Sequence, residues 1–172
     1  VQVDYLDAKG DAIERNTHGF GYTSYVNQTN RNDITNAKVC FDSQNFYFYV
    51  KCTKNILLNG VGTNLNLYLN TDMSASTGWY GYDYILDFEN VNKYTGNGKT
   101  YSYAKSATVE HILEGNELMI TVPRSALGLT SDNVKFSFKW VDGTQKITTM
   151  EQMYTDGDTA PHGRLNYLFQ NY

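Results

Sequence analysis

Alternation of apolar and polar side chains with a period of two constrains the fold of this chain more than any other feature. It is clearest in the segments 65–70, 118–122 and 134–140, where every second residue is Leu, Ile, Val, Phe or Trp. Successive side chains of a strand point to opposite faces of a sheet, so each segment predicts a half-buried antiparallel strand. Further strands are predicted at 82–88, 100–104, 108–113, 147–150 and 165–169.

Helical signals are confined to one short segment. P-R-S-A-L-G-L at 123–129 is typical of a helical turn, with proline at its start and glycine near its end. Many short strands at hairpin spacing close a core most simply as an all-β, two-sheet antiparallel β-sandwich of jelly-roll or immunoglobulin-like appearance. With 172 residues and no linker or repeat, we expect a single domain over 1–172.

Composition narrows the classes of partner. The net charge is -4, and no run of Lys or Arg occurs, which argues against nucleic acid or an anionic membrane as a partner. No apolar run approaches the roughly 18 residues of a membrane-spanning helix. Fifteen Tyr with only 19% charged residues predict a polar, weakly charged surface suited to neutral polar ligands.

The two cysteines can be placed by strand parity. A hairpin over the turn-prone D-S-Q-N would pair Phe41 with Phe46 and Val39 with Phe48. Cys52 then faces the core, whereas Cys40 points to the opposite side of the sheet. We therefore expect two free thiols and no disulfide bond between them.

Oxygen-bearing side chains crowd the segment 70–84, N-T-D-M-S-A-S-T-G-W-Y-G-Y-D-Y. No Lys or Arg lies between residues 58 and 89 to offset its two aspartates, and calcium is the simplest compensation. The predicted Ca²⁺ ligands are Asn70, Asp72, Ser74, Thr77 and Asp83. The alternative is that each aspartate accepts backbone N–H bonds as a turn cap and faces water.

The same segment carries aromatic rings that suit a sugar face. Trp79 follows a Thr-Gly pair on a loop, and we expect it to form an exposed platform together with Tyr80 and Tyr82. The alternative is that Trp79 packs over the end of the sandwich and holds the Asp72 loop. Trp140 continues an apolar face and is predicted to lie in the core.

Catalytic motifs are missing from the sequence. It contains neither a G-x-S-x-G elbow nor an H-E-x-x-H zinc pair. Asp83 and Asp87 would lie roughly 13 Å apart on one strand, too far to act together on a glycosidic bond. We therefore do not expect an enzyme.

Six segments carry motifs in a consistent order. They are A-K-V-C-F-D-S-Q-N-F-Y-F-Y-V (37–50), L-N-L-Y-L-N-T-D (65–72), S-T-G-W-Y-G-Y-D-Y (76–84), I-T-V-P-R-S-A-L-G-L (120–129), F-K-W-V-D (138–142) and G-D-T-A-P-H-G-R-L-N-Y (157–167). Together they resemble carbohydrate-binding module family 9 and the wider DOMON-like β-sandwich group. The resemblance implies a calcium-containing sandwich that binds glycan ends without catalysis, as a monomeric module of a larger secreted bacterial protein.

The resemblance also implies where a sugar would bind. Family 9 modules clamp the sugar between two tryptophans, but the corresponding segments 60–64 and 156–162 contain no Trp. In the second region Tyr154 and His162 are the nearest flat side chains, and Arg164 can donate hydrogen bonds to hydroxyls. The alternative is a structural corner in which Arg164 pairs with Asp156 or Asp158.

Two other functions stay open. In a haem-binding redox domain of the DOMON type, a Met and a His would ligate iron from opposite sides. Met73, Met119, Met150 and Met153 and three histidines are present, without an indicated pairing. The other possibility is an adhesion or spacer domain that binds no ligand.

Overall fold

The computed structural model describes residues 2–12, 15–27, 29–58, 64–143, 147–155 and 157–172. The strands are β1 (Gln2–Leu6), β2 (Arg15–His18), β3 (Ser24–Asn27), β4 (Ile34–Phe41), β5 (Asn45–Cys52), β6 (Asn64–Asn70), β7 (Tyr84–Leu86), β8 (Asn90–Tyr94), β9 (Tyr103–Thr108), β10 (Glu110–Glu114), β11 (Glu117–Pro123), β12 (Lys135–Gly143), β13 (Asp158–Ala160) and β14 (Tyr167–Gln170). Within these described ranges, helical structure is limited to α1 (Gln152–Thr155) and two 3-10 turns, Phe20–Tyr22 and Arg124–Leu127.

Two antiparallel sheets form the body of the protein, which confirms the predicted all-β sandwich. The first has the strand order β1-β4-β5-β11-β10, and the second has the order β13-β12-β6-β7-β8-β9. Strand β12 is long enough to pair with β13 near Trp140 and with β14 near Phe136, on the side away from β6. Strands β2 and β3 form a separate ribbon.

The core lies between the two sheets and follows the predicted alternation. In β5, Phe46, Phe48 and Val50 are buried, and the residues between them are only half-buried. The predicted hairpin is confirmed, with Phe41 opposite Phe46 and Val39 opposite Phe48. Full burial of each such side chain contributes roughly 1.5–3 kcal/mol to folding. Cys52 is buried and Cys40 lies outside the core, and both thiols are free, as predicted.

One predicted strand, at 147–150, is wrong. Residues 147–150 lead into α1 instead of joining a sheet, because the Gln152 side chain accepts hydrogen bonds from the backbone N–H groups of Thr148 at 2.7 Å and Thr149 at 3.0 Å. These donors are satisfied without a neighbouring strand. The predicted helical turn is present as the 3-10 turn after Pro123.

The outer faces of the two sheets differ. A second apolar cluster covers the outer face of the second sheet, and its buried members are Tyr68, Trp79, Tyr82, Ile85, Val141, Ile147, Met153 and Tyr154. The outward residues of the first sheet are half-buried or exposed in every strand. Of the two sheets, the first therefore presents its outer face to solvent. None of the helices in the described ranges is long and apolar enough to cross a membrane.

Candidate functional site

The predicted exposed platform at Trp79 is wrong, because the side chain is buried in the second cluster. Trp79 and Tyr82 exchange backbone hydrogen bonds of 3.0 and 3.1 Å across a two-residue turn. Both central residues of that turn have positive φ, 52° at Tyr80 and 99° at Gly81, the geometry of a tight hairpin turn. This turn brings the indole into the cluster, edge to face with the Tyr101 ring at 4.8 Å.

The other predicted sugar-binding residues pack together in the same region. The Tyr82 hydroxyl donates to Asn166 Oδ1 at 2.7 Å, and Tyr154 is buried as a member of the same cluster. Tyr80 is half exposed next to the indole. The structure thus unites Trp79, Tyr82 and Tyr154 as packing residues, not as an open binding surface.

Arg164 has a partner other than the ones considered from the sequence. Its guanidinium donates to the Tyr154 hydroxyl, with Nη2 at 2.7 Å. Asp156, one of the two predicted partners, lies outside the described residues, as do residues 60–63 of the other predicted sugar-contacting segment. His162 is exposed, and its Nδ1 lies 3.7 Å from Asp11 Oδ2.

The predicted calcium loop satisfies its own carboxylates. Asp72 accepts hydrogen bonds from the Ser74 N–H at 2.8 Å and the Thr77 hydroxyl at 2.8 Å. Asp83 Oδ2 accepts from the Thr71 N–H at 2.8 Å and its hydroxyl at 3.1 Å, and Asn70 donates to the Ser74 carbonyl. These are the bonds of the turn-cap alternative. Burial raises the pKa of Asp83, and the Asp72 charge adds to that rise.

A second carboxylate group, Asp7, Asp11 and Asp158, was not anticipated from the sequence. One oxygen from each of the three lies within 4.8 Å of the others. Asp158 is buried and accepts from the backbone N–H groups of Ile34 at 2.6 Å and Thr159 at 2.8 Å. Asp7 Oδ2 and Asp11 Oδ1 are buried without a hydrogen-bond partner among the described residues. We call these three residues the aspartate triad.

Burial and mutual repulsion dominate the electrostatics of the aspartate triad. Burial, followed by the charge of Asp11, raises the pKa of Asp7 to about 7. Burial raises the pKa of Asp158 to about 8. Lys139 is buried nearby, where desolvation lowers its pKa to about 8, and its ammonium donates to the Pro161 carbonyl. Three carboxylates and one ammonium leave an excess of negative charge when all are ionised.

The resemblance implies calcium, and the donor set of the aspartate triad fits that ion. Ca²⁺ takes hard oxygen ligands, and an ion would give the two unpartnered oxygens of Asp7 and Asp11 a partner. In the Asp72 loop the two carboxylates are already hydrogen-bonded, and a buried oxygen without a partner among the described residues is found at Asn70 Oδ1. Only the fold brings Asp7 to Asp158, which explains why no local motif revealed the group.

The open face of the first sheet is also a site that the sequence analysis missed. Its residues form cross-strand rows, and the central row runs Asp4, Lys38, Tyr49, Met119, Ile112 from β1 to β10. The row on one side contains Gln2, Cys40, Tyr47, Thr121 and Glu110, and the row on the other contains Leu6, Asn36, Lys51, Glu117 and Glu114. We call this surface the tyrosine face.

A shallow depression of about 620 Å³ occupies the middle of the tyrosine face. It is lined by Gln2, Asn36, Lys38, Cys40, Tyr47, Tyr49, Lys51, Glu117 and Met119. The adjacent tyrosines provide ring surface, and the residues around them provide hydrogen-bond donors and acceptors. Flat rings with polar groups around them suit a ligand that has both apolar faces and hydroxyl groups.

Charges on the tyrosine face are largely paired. Lys51 Nζ lies 2.7 Å from Glu117 Oε1, and Lys38 Nζ lies 3.3 Å from Asp4 Oδ1 and 5.5 Å from the centre of the Tyr49 ring. The hydrogen bond from Lys51 lowers the pKa of Glu117. The centre of the face thus carries nearly balanced charge and favours a neutral ligand over a polyanion.

Comparisons of the chain with protein-family models, curated proteins and solved structures give no match.

The three groups of residues differ in what they can do chemically. The second apolar cluster, which contains Trp79, covers the outer face of the second sheet. The aspartate triad can neutralise a cation, and the tyrosine face can hold a polar ligand with flat surfaces.

Replacing Trp79 with Ala should destabilise the fold, because it removes a fully buried indole. We expect a loss of about 3–5 kcal/mol in the free energy of unfolding, similar to the loss for Trp140→Ala. Tyr80→Ala, at a side chain that is 49% exposed, is the control and should change it by roughly 1 kcal/mol or less. Denaturant unfolding measures all three variants. A Trp79→Ala protein as stable as the parent would contradict the buried position.

Stability of the metal-free protein should fall as the pH rises from about 4 to about 8. The folded-state pKa values of Asp7 and Asp158 lie above the unfolded value, so in this range the folded protein binds more protons than the unfolded chain. The stabilisation is complete below the unfolded pKa and is lost as the pH passes through the folded pKa values. Thermal melts after dialysis against a chelator measure this change.

The two matched variants change neighbouring aspartates, Asp4 within β1 and Asp7 directly after it. Asp7→Asn should make the fall with pH shallower, because the replaced group no longer titrates. Asp4→Asn, at an exposed position in β1, should keep the slope of the parent protein. Equal slopes for Asp7→Asn and the parent would show that Asp7 does not titrate in this range.

Proposed function

We propose that this protein is a non-catalytic carbohydrate-binding module of an extracellular bacterial protein that degrades or captures glycans, and that the glycan lies on the tyrosine face. The observation that carries the proposal is the pair Tyr47 and Tyr49, side by side in an open depression of about 620 Å³. The binding surface thus differs from the one expected around Trp79. The resemblance to family 9 modules supports the class of ligand but not this location.

Ring spacing supports a sugar ligand. Tyr47 and Tyr49 are two residues apart on β5 and point to the same face, which places them roughly 7 Å apart along the strand. Sugar rings carry C–H groups on their flat faces, and stacking these on a tyrosine ring removes apolar surface from water. Two rings at this spacing offer two surfaces on which a sugar ring can stack.

Polar groups around the two tyrosine rings can form hydrogen bonds with the hydroxyl groups of a sugar. Asn36 and Gln2 offer amide donors and acceptors, and Lys38 offers ammonium donors, all lining the same depression. The Tyr47 hydroxyl donates to Asp42 Oδ2 at 2.7 Å, which orients this ring. Sugar hydroxyls can therefore exchange hydrogen bonds with water for hydrogen bonds with side chains.

The state of Glu117 supports binding without hydrolysis. A glycosidase needs a carboxylic acid whose pKa is raised so that it can protonate the leaving oxygen. On the tyrosine face, the hydrogen bond from Lys51 lowers the pKa of Glu117 instead. This supports a role for the carboxylate as a hydrogen-bond acceptor for a sugar hydroxyl.

Tyr49→Ala should weaken glycan binding by about 1–3 kcal/mol while the protein stays folded, because the side chain is half-buried on the outer face of β5. The parent should bind at least one of soluble starch, xylan, β-glucan or pectin, with a Kd of roughly micromolar to millimolar. Affinity electrophoresis identifies the ligand, and calorimetry measures its Kd.

Tyr80→Ala is the control, since Tyr80 is exposed on the loop of the second sheet and should leave the Kd unchanged. No binding across the panel would favour the adhesion or spacer domain. Binding that is lost in Tyr80→Ala and kept in Tyr49→Ala would move the site away from the tyrosine face.

We also propose that calcium is held by Asp7, Asp11 and Asp158, where it would neutralise the excess negative charge. Added calcium should raise the melting temperature of chelator-treated protein, because a ligand that binds only the folded state stabilises it. Asp7→Asn should remove this response, whereas Asp72→Asn should retain it. Loss of the response in Asp72→Asn alone would return the ion to the loop, and no response in the parent would refute a stabilising calcium site.

A further inference from the structure

The apolar side chains of the tyrosine face are aligned across the strands. Tyr49, Met119 and Ile112 are consecutive partners in the central row, on β5, β11 and β10. In the strand direction, Tyr49 has Tyr47 two residues away on one side and the ion pair of Lys51 with Glu117 on the other. A ligand that stacks on apolar surface therefore contacts three such residues when it lies across the strands and two when it lies along β5.

The central row is long compared with a single sugar. It crosses five strands, and adjacent strands lie about 4.8 Å apart, so the row extends over about 19 Å from β1 to β10. A second depression, of about 160 Å³, lies along the central row towards β10 and is lined by Tyr49, Ile112, Glu114, Glu117, Leu118 and Met119. The apolar side chains of the central row thus extend to the edge of the sheet at β10.

Both ends of the row lie at exposed sheet edges. Strands β1 and β10 are the edge strands, and the outward residues Gln2 and Asp4 of β1 are exposed. Ile112 at the other end is 55% exposed. Recognition of a chain terminus needs a wall that encloses the last sugar and buries most of its surface. Exposed side chains occupy both ends of this row in the part of the chain that the structure describes.

We propose that the tyrosine face binds the interior of a neutral glycan chain, which crosses the strands along the central row and extends beyond both edges of the sheet. This inference rests on the proposed function and specifies its ligand. It differs from the end-binding that the family 9 resemblance implies. The paired charges of Lys38 with Asp4 and of Lys51 with Glu117 make an uncharged chain the better fit.

The test uses xylo-, cello- and malto-oligosaccharides, from disaccharide to hexasaccharide, before and after borohydride reduction of the reducing end. Calorimetry should give a Kd that falls with length, by about tenfold or more between disaccharide and hexasaccharide in the series that binds. Reduction opens only the terminal ring, so the Kd of the hexasaccharide should stay the same. Full affinity for a disaccharide, or loss of hexasaccharide binding on reduction, would overturn interior binding.

Variants at the edge of the row add an independent readout. Ile112→Ser should weaken binding of the hexasaccharide more than binding of the shortest ligand that binds, because only a long chain reaches β10. Leu168→Ser, at an exposed position in β14 of the second sheet, is the matched control and should change neither Kd. Equal effects of Ile112→Ser on short and long chains would contradict the crossing direction.

The outcomes separate the two proposals. Binding to the panel that depends on Tyr49 but also on a free reducing end would refute interior binding and leave the carbohydrate-binding function in place. No binding to any glycan would refute both.

Discussion

Aromatic packing between the two sheets determines which residues of the first sheet face solvent. Phe46 of β5 lies edge to face with Phe136 of β12, at 5.4 Å between ring centres, and Phe136 stacks on Phe169 of β14 at 5.0 Å. A one-residue shift of β5 would bury the tyrosines and expose the phenylalanines, at a cost of roughly 1.5–3 kcal/mol for each phenylalanine that becomes exposed. The position of Tyr47 and Tyr49 on the outer face is therefore a consequence of the core.

The second sheet uses its aromatic residues differently. Tyr68 lies on the outer side of β6, yet it is buried because the segment around Trp79 and the residues near α1 pack over it. Its hydroxyl is 3.2 Å from that of Tyr101, whereas the indole N–H of Trp79 is buried without a hydrogen-bond partner among the described residues. A high content of tyrosine thus serves two purposes here, packing over one sheet and an open surface on the other.

Strand periodicity predicted most of the sandwich from the sequence alone. The hairpin around Phe41 and Phe46 and the strands β6, β11 and β12 follow from local alternation, which needs no knowledge of distant residues. The predicted exposure of Trp79 was wrong, because the indole follows a turn with positive φ at Tyr80 and packs into the second cluster. A positive φ at a residue other than glycine leaves little signal in the sequence.

Sites assembled from distant residues could not be predicted in the same way. Asp7 and Asp158 are far apart in the chain, and each alone resembles an ordinary polar residue at the end of a strand. The outward tyrosines could be assigned to a face by parity, but parity does not say which outer face is covered by loops. That distinction depends on tertiary packing, and it decides where a ligand can bind.

Strand β1 runs along the tyrosine face and ends next to the aspartate triad. The Tyr5 hydroxyl donates to the Leu168 carbonyl at 2.8 Å, and the Tyr167 hydroxyl donates to the Leu6 carbonyl at 3.0 Å, so β1 is tied to β14 across the core. Asp7 follows directly after this strand and belongs to the aspartate triad.

Two buried carboxylates link the sheets at the same end. Asp158 of β13 accepts from the Ile34 N–H in β4, and Asp142 of β12 accepts two hydrogen bonds from Arg31, just before β4. Removing one partner of such a buried ion pair costs roughly 3–5 kcal/mol, because the other charge stays buried and unpaired. Protonation of the aspartate triad, or a bound cation, would remove the repulsion between its carboxylates at this end of the sandwich, where β1 ends and β4 begins. Since Gln2, Asp4 and Lys38 lie on these two strands, the aspartate triad adjoins the strands that carry one side of the proposed glycan surface.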